Sequence, residues 1–78
     1  MKVVVVDWWD SCVKTDSGWE IPHEPLEPLR CRTVGFVFED NKKYITLFST
    51  GNEEGTRILG RITIPAQAVI KKRILLKD

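Results

Sequence analysis

The sequence has few of the side chains that catalysis and metal binding usually require. Its single histidine, His23, stands beside Glu24 in a proline-rich stretch, and its two cysteines, Cys12 and Cys31, form no Cys-x-x-Cys pair. Zinc sites and nucleophilic centres need paired or convergent groups of this kind. We therefore expect no enzymatic activity, no metal and no cofactor, and we interpret His23 as a solvated surface side chain.

Long apolar runs are also missing. The valines that follow Lys2 are interrupted at Asp7 and Asp10, well short of the ~7–15 apolar residues at the centre of a signal peptide. No segment approaches the ~20 apolar residues of a membrane-spanning helix. We expect a cytoplasmic protein without membrane contact, in which Cys12 and Cys31 stay reduced; a disulfide between them is the alternative.

An excess of charge of one sign is missing overall, although it exists locally. The net charge is +1, which gives no general attraction to nucleic acid or anionic lipid. The first 30 residues carry three basic and six acidic side chains, a balance of −3, whereas six basic side chains and one acidic side chain from Arg57 onward give +5. Binding to an anionic partner therefore requires a local cluster of basic residues.

The first part of the chain predicts one strand and one long loop. Residues 2–9 are β-branched and then aromatic, which favours a strand buried on both faces. Residues 11–30 lose this pattern and contain three of the four prolines, so we expect an irregular loop. With 78 residues in all, there is room for one core and thus for a single domain, residues 1–78.

Residues 31–50 predict a β-hairpin. In residues 31–39 large apolar side chains stand at every second position, as in a strand with one buried face. We assign Val34, Phe36 and Phe38 to the core face. A turn at residues 40–42 leads into a strand over residues 43–50, whose inward side chains are Ile45 and Leu47.

The last third predicts two further strands. Residues 58–64 place isoleucines on one face, with Gly60 as a bend or bulge. Pro65 ends this strand, and residues 66–68 are long enough for one tight helical turn. In the final strand Ile70, Ile74 and Leu76 share a face with Lys72, which indicates a bulge or an edge position there.

This order of elements resembles the layout of SH3-like barrels. The resemblance implies a small all-β, five-strand barrel with a long loop between strands one and two and a short 3₁₀ turn before the last strand. A five-strand oligonucleotide-binding barrel is the alternative, but that fold usually has a helix where this chain has only a Gly- and Glu-rich loop.

An acidic and aromatic cluster is the first candidate binding site. Such a corner is typical of peptide grooves, in which flat aromatic rings hold apolar or proline side chains and carboxylates hold basic ones. The candidate residues are Asp7, Trp8, Trp9, Asp10, Trp19 and Glu20. Neighbouring strand residues point in opposite directions, so one of Trp8 and Trp9 must face the core, and the other is the better ligand candidate.

Two further patterns suggest partners. Residues 25–30 match a PxxPx[RK] peptide, although we prefer to interpret them as a rigid connector that leads into the second strand. Basic side chains of the C-terminal strands are the candidate nucleic-acid contacts, as a strip across two neighbouring strands, although we prefer to interpret them as charged edge positions that prevent aggregation. The basic residues are Arg57, Arg61, Lys71, Lys72 and Arg73.

Several short motifs resemble a group of short uncharacterised proteins encoded in phage and prophage genomes. The motifs are Val5-Val6-Asp7-Trp8-Trp9-Asp10-Ser11, Gly18-Trp19, Thr33-Val34-Gly35-Phe36 and Ile64-Pro65 with Ile70. The resemblance implies a phage or prophage accessory protein and assigns no catalytic residues. We therefore expect a non-enzymatic protein-interaction module with a protein or peptide partner, with a small nucleic-acid-binding barrel as the alternative and homo-oligomerisation as a third hypothesis.

Overall fold

The computed structural model of the chain describes residues 1–11 and 25–77, most of which lie in β-strands. The strands are β1 (Val3–Asp10), β2 (Leu29–Asp40), β3 (Tyr44–Phe48), β4 (Thr50–Gly51), β5 (Ile58–Leu59), β6 (Ile62–Pro65) and β7 (Val69–Leu76), with a 3₁₀ turn at Ala66–Ala68. The predicted all-β class is therefore confirmed. Most of the loop predicted over residues 11–30 lies outside the described residues.

Five of the strands form one antiparallel sheet. Their order is β6-β3-β2-β1-β7, and β4 and β5 pair separately in a short ribbon. Within residues 1–11 and 25–77 no strand pairing joins β6 to β7, so the closed barrel expected from the sequence is not found. The Lys72 Nζ lies 2.5 Å from the Asp40 Oδ2, and this ion pair links β7 to the end of β2.

The predicted hairpin forms around an asparagine turn. The Asn41 Oδ1 accepts hydrogen bonds from the backbone N–H groups of Lys43 and Tyr44, at 2.8 and 2.9 Å. A short polar side chain that bonds to nearby backbone groups stabilises such a turn. β2 and β3 are thereby joined in the expected antiparallel pair.

Gly60 divides the predicted fourth strand into β5 and β6. Its φ is +75°, a left-handed conformation that glycine adopts without steric cost. A Cβ at this position would also collide with the Ser49 hydroxyl. The bend expected at Gly60 is confirmed, and it turns the β4–β5 ribbon out of the main sheet.

The main hydrophobic cluster lies on one face of the sheet, which we call the inner face, while Val5 and Phe48 are buried on the opposite face. The almost fully buried side chains of the inner face come from β1, β3 and β6: Val4, Val6, Ile45, Leu47 and Ile64. Ile45 and Leu47 lie opposite Ile64 and Ile62 on the neighbouring strand, and cross-strand pairs of this kind stabilise a sheet. The inward assignment of Ile45 and Leu47 is confirmed.

The predicted core face of β2 is wrong. Val34 and Phe38 are 53% and 51% exposed, whereas Gly35 is buried. Val4 lies opposite Gly35 in the sheet, and a Cβ on Gly35 would lie 3.1 Å from the Leu47 Cβ. The inner face is too crowded there for large side chains, so Val34 and Phe36 lie on the opposite face, which we call the outer face.

β7 has two irregularities in its pairing with β1. The register shifts between Val3 and Val4 and again between Asp7 and Trp8. As a result Lys72 lies opposite Val6 on the inner face, while Lys71 and Arg73 lie on the outer face. Both the edge position and the bulge expected near Lys72 are confirmed.

Candidate functional site

A buried carboxylate occupies the middle of the outer face. Asp7 on β1 is only 7% exposed, and it lies opposite Arg32 on β2. The Arg32 Nε and Nη2 donate to the two Asp7 carboxylate oxygens at 2.7 and 3.2 Å. This two-point geometry is the strong form of a guanidinium–carboxylate pair, and it fixes the orientation of Arg32.

Three more cations surround this pair. Lys71 lies opposite Asp7 across the other edge of β1, and Arg73 lies opposite Val5. The Arg30 Nη2 is 3.9 Å from the Asp7 Oδ2. We call Arg30, Arg32, Lys71 and Arg73 the cationic face; with Asp7 included, its charge is four minus one, or +3.

The surrounding cations keep Asp7 ionised. The hydrogen bond from Arg32 is the main cause that lowers the Asp7 pKa, and the charges of Arg32, Arg30 and Lys71 add to it against the opposing effect of burial. The same pairing raises the pKa of Arg32. Asp7 therefore serves as an internal counter-ion, and its charge is not displayed on the surface as an isolated acid.

The structure answers which tryptophan of the acidic and aromatic cluster faces inward. Trp8 packs against the core, and its indole N–H donates to the Thr33 Oγ1 at 2.9 Å. Trp9 is 48% exposed on the outer face, and Asp10 is exposed beside it at the end of β1. Trp19 and Glu20 lie outside the described residues.

The five basic residues predicted as one strip are divided among three places. Lys71 and Arg73 belong to the cationic face, whereas Lys72 lies on the inner side and pairs with Asp40. Arg57 and Arg61 flank β5, in the separate ribbon. The strand pairing therefore does not assemble the predicted strip.

Residue Arg30 also belongs to the PxxPx[RK] pattern at residues 25–30. The first residues of that pattern are exposed. Arg30, however, lies in β2 opposite Trp9, with its guanidinium turned toward Asp7. The basic residue of the PxxPx[RK] pattern is therefore part of the sheet of this domain.

An aromatic groove lies at the other end of the outer face. It has a volume of about 600 Å³ and runs between β2, β3 and the ribbon. Phe36 and Phe48 stack with ring centroids 5.3 Å apart, and Phe38 and Ile58 add apolar surface beside them, together with Met1 and Val37. We call Phe36, Phe38, Phe48 and Ile58 the aromatic groove.

The rim of the aromatic groove is basic. Arg57 lines the groove, and the guanidinium of Arg61 lies 5.4 Å from the centre of the Phe38 ring, within the range of a cation–π contact. No Asp or Glu side chain among the described residues lines it. The chemistry of the groove is therefore apolar at the floor and cationic at the edge.

The sequence contains candidates for the cationic face, namely Asp7, Trp9, Lys71 and Arg73, but it does not show that they share one surface, and it does not indicate the aromatic groove. Arg30 and Arg32 are two residues apart in β2 and so share a face with each other, but nothing local shows that Asp7, 25 residues earlier, lies opposite Arg32. Phe36 and Phe38 were assigned to the core. The alternation was visible, whereas the choice of the buried face was not.

Comparison of the chain with protein-family models, curated proteins and solved structures gave no match. Across residues 1–11 and 25–77, no His, Cys, Asp or Glu side chains converge in a group of three that is able to hold a metal ion. No helix in this part of the chain is long and apolar enough to cross a membrane. The features of the described residues that are able to bind a partner are therefore the cationic face and the aromatic groove.

Proposed function

We propose that this protein is a non-enzymatic protein-interaction module that acts in the cytoplasm and binds a partner polypeptide in the aromatic groove. The observation that carries the proposal is the groove itself. Its volume of about 600 Å³ falls within the range of functional pockets, and a mostly apolar lining with few polar groups is typical of them.

The strand order supports the SH3-like layout within this proposal. The final strand β7 lies beside the first strand, and a 3₁₀ turn precedes it, as in the SH3-like order of elements. Such modules bind peptides through aromatic side chains on their surface. The phage or prophage origin that the sequence motifs imply belongs to the same proposal and is compatible with a small adaptor.

Charge complementarity defines the partner. Phe38 is half exposed and lies beside Arg61, and Arg57 lines the same groove. An extended segment with a large apolar side chain and a neighbouring carboxylate fits this arrangement, because the apolar group fills the groove and the carboxylate meets the guanidinium groups. A basic segment is disfavoured by the same charges.

Selection from a library of random nine-residue peptides displayed on a carrier tests the proposal. We expect the enriched peptides to combine an aromatic or large aliphatic residue with Asp or Glu. When a selected peptide is added to the ¹⁵N-labelled full chain, the largest NMR shift changes should fall on the aromatic groove and the ribbon. Enrichment of basic peptides, or shift changes confined to other strands, would overturn the proposal.

Two exposed residues provide a matched pair for the same experiment. Phe38→Ser should lower the affinity for the selected peptide at least tenfold. Val34→Ser should change that affinity by less than about twofold, because Val34 is equally exposed but does not line the groove. Equal losses from both variants would contradict the assignment. A concentration-dependent dimer in light scattering that Phe38→Ser abolishes would contradict it too, because a second copy would then occupy the groove.

A further inference from the structure

The cationic face and Trp9 together form a second surface that the aromatic groove does not explain. We propose that this surface binds single-stranded nucleic acid, with phosphates held by Arg30, Lys71 and Arg73 and an unpaired base stacked on Trp9. The inference goes beyond the proposed function and uses different residues. It changes the nucleic-acid alternative by replacing the predicted C-terminal strip with a surface built from β7, β1 and β2.

The first argument is the excess of positive charge. Within residues 1–11 and 25–77, Lys71 and Arg73 have no ion-pair partner, whereas Asp7 is engaged mainly by Arg32. Asp7 is the one acid among the described residues that lines the two clefts around these cations, and Glu27 lines the separate cleft beside Trp9. Lys71 and Arg73 are therefore available to neutralise phosphates, and neutralised phosphates supply most of the non-specific affinity for nucleic acid.

The second argument is the arrangement of these cations. β7 and β2 pair with the two edges of β1, and neighbouring strands lie about 4.8 Å apart. The cations of β2 and β7 are thus separated by about 10 Å at the backbone, with Asp7 on β1 between them. Two adjacent phosphates fit across such a span without rearrangement of the sheet.

The third argument is the exposed indole. Trp9 lies opposite Arg30 in the β1–β2 pair, on the same face as Asp7, and nearly half of its surface is open to solvent. An aromatic ring beside cations on an open sheet is a stacking platform for an unpaired base. A duplex keeps its bases paired and unavailable to a single surface ring, so the arrangement favours single strands.

The sequence alone does not indicate this site, because the tryptophans lie in the acidic first third of the chain and half of the basic residues lie in the last third. In the fold the acid that shares β1 and the outer face with Trp9 is Asp7, which is buried and paired, and Glu27 lies at the far side of the Trp9 ring, where it lines a cleft with Pro28. The cross-strand neighbours of Asp7 are all basic. An acidic stretch of sequence has become part of a basic surface.

The test uses fluorescence anisotropy of the full chain with labelled oligo(dT) of twelve nucleotides at several salt concentrations. We expect binding at low salt with a log–log salt slope of about −1.4 to −2.1, which corresponds to two or three phosphates at about −0.7 each. Lys71→Gln with Arg73→Gln should weaken binding at least tenfold and reduce the slope by about 1.4. Lys42→Gln with Lys43→Gln removes the same charge from the β2–β3 turn and should change affinity less than threefold.

The stacking step has its own variants. Trp9→Leu should weaken oligo(dT) binding about tenfold, whereas Trp9→Phe should keep most of the wild-type affinity because it keeps an aromatic ring. Phe38→Ser, in the aromatic groove, should have no effect on oligo(dT) binding. Equal losses from the two double variants would overturn the site, because bulk charge would then explain binding. Equal affinity for a twelve-base-pair duplex, or for a poly-glutamate peptide of matched charge, would overturn the single-stranded assignment; thermal unfolding of each variant confirms that it is folded.

Discussion

The two faces of β1 have opposite characters although they belong to one run of eight residues. On the inner face, Val4 and Val6 are almost completely buried against β3 and β6. On the outer face, Asp7 is buried too, but among arginine and lysine side chains, and Trp9 is exposed. The inner face is explained by burial of apolar surface. The outer face also buries Val5 and Phe48, but it carries exposed cations and aromatic rings that burial does not explain.

This difference separates stability from function in the molecule. The inner side chains contribute to folding because they exclude water from the core, and no ligand can reach them. Outward-facing Phe38 is left half exposed in the aromatic groove, and the cations around Asp7 exceed what one carboxylate neutralises. Exposed apolar and charged groups that folding does not require are where we place both binding surfaces.

The largest expected effect breaks the inner face. Leu47→Ala should lower the free energy of unfolding by about 2–5 kcal/mol, because it removes buried methyl groups and leaves a cavity. Val34→Ala, on the outer face, should lower it by only about 0.5 kcal/mol, as expected at an exposed position. Urea unfolding followed by tryptophan fluorescence measures both, and similar losses would show that the outer face is a second core.

The next effect concerns the bend that turns the ribbon toward the aromatic groove. Gly60 and Gly55 have nearly equal positive φ values, +75° and +74°, but a Cβ on Gly55 has open space while one on Gly60 collides with Ser49. Gly55→Ala should cost about 1–2 kcal/mol from the left-handed conformation alone. Gly60→Ala should cost about 1 kcal/mol more, because the Ser49 hydroxyl must rotate away and lose its hydrogen bond to the Leu59 carbonyl. Equal unfolding midpoints for the two variants would contradict the steric role of Gly60.

A smaller effect concerns the ion pair of the outer face, in which Asp7 is buried and Arg32 is exposed. The Asp7 pKa is lower in the folded chain than its ordinary value of 3.8, so Asp7 stabilises the fold above that value, and this stability is lost as the pH falls through the lowered pKa. Asp7→Asn should therefore reduce stability at pH 7 and flatten its decline between about pH 4 and the lowered pKa. Urea unfolding at pH 7, 4 and 3 measures this change.

The exposed Asp10, on the same strand, provides the control for that experiment. Asp10→Asn should leave the pH profile close to that of the wild type, since the described residues give Asp10 no ion pair. A parallel change in the two variants would mean that net charge, rather than the pairing with Arg32, sets the acid response.

The smallest effect concerns the link between β7 and β2. The Lys72 and Asp40 side chains are both partly exposed, and ion pairs of this kind contribute about 0–1 kcal/mol. A double-mutant cycle with Lys72→Met and Asp40→Asn should give a coupling energy within that range. A coupling energy above about 2 kcal/mol would contradict this estimate and show that the Lys72–Asp40 pair is a main link between β7 and the end of β2.

Local features of the sequence predicted much of the fold. The turn at Asn41, the bend at Gly60 and the 3₁₀ turn after Pro65 each depend on the conformational preferences of one or two residues, so they could be recognised without knowledge of distant parts of the chain. The order of elements predicts a closed barrel, whereas the described residues form an open sheet. Closure would require pairing between β6 and β7, and no local pattern in the sequence specifies that pairing.

The candidate site was less accessible to prediction. Trp8 and Trp9 were recognised as pointing in opposite directions, but only the packing of Trp8 on the core and its hydrogen bond to Thr33 decide which of them is exposed. The partners of Asp7 lie 25 residues away in β2 and 64 residues away in β7. Contacts at that separation leave no periodic signal in the chain.

The sequence by itself determined that this protein is built from alternating strands, where the chain turns, and that one tryptophan of a pair is exposed. The tertiary structure alone decided which face of β2 is buried and that an acidic aromatic stretch lies within a basic surface. The physical reason is register. A shift of one residue in strand pairing exchanges the two faces of a strand, and the close approach at Gly35 and the pairing of Asp7 with Arg32 are consistent with only one of the two choices.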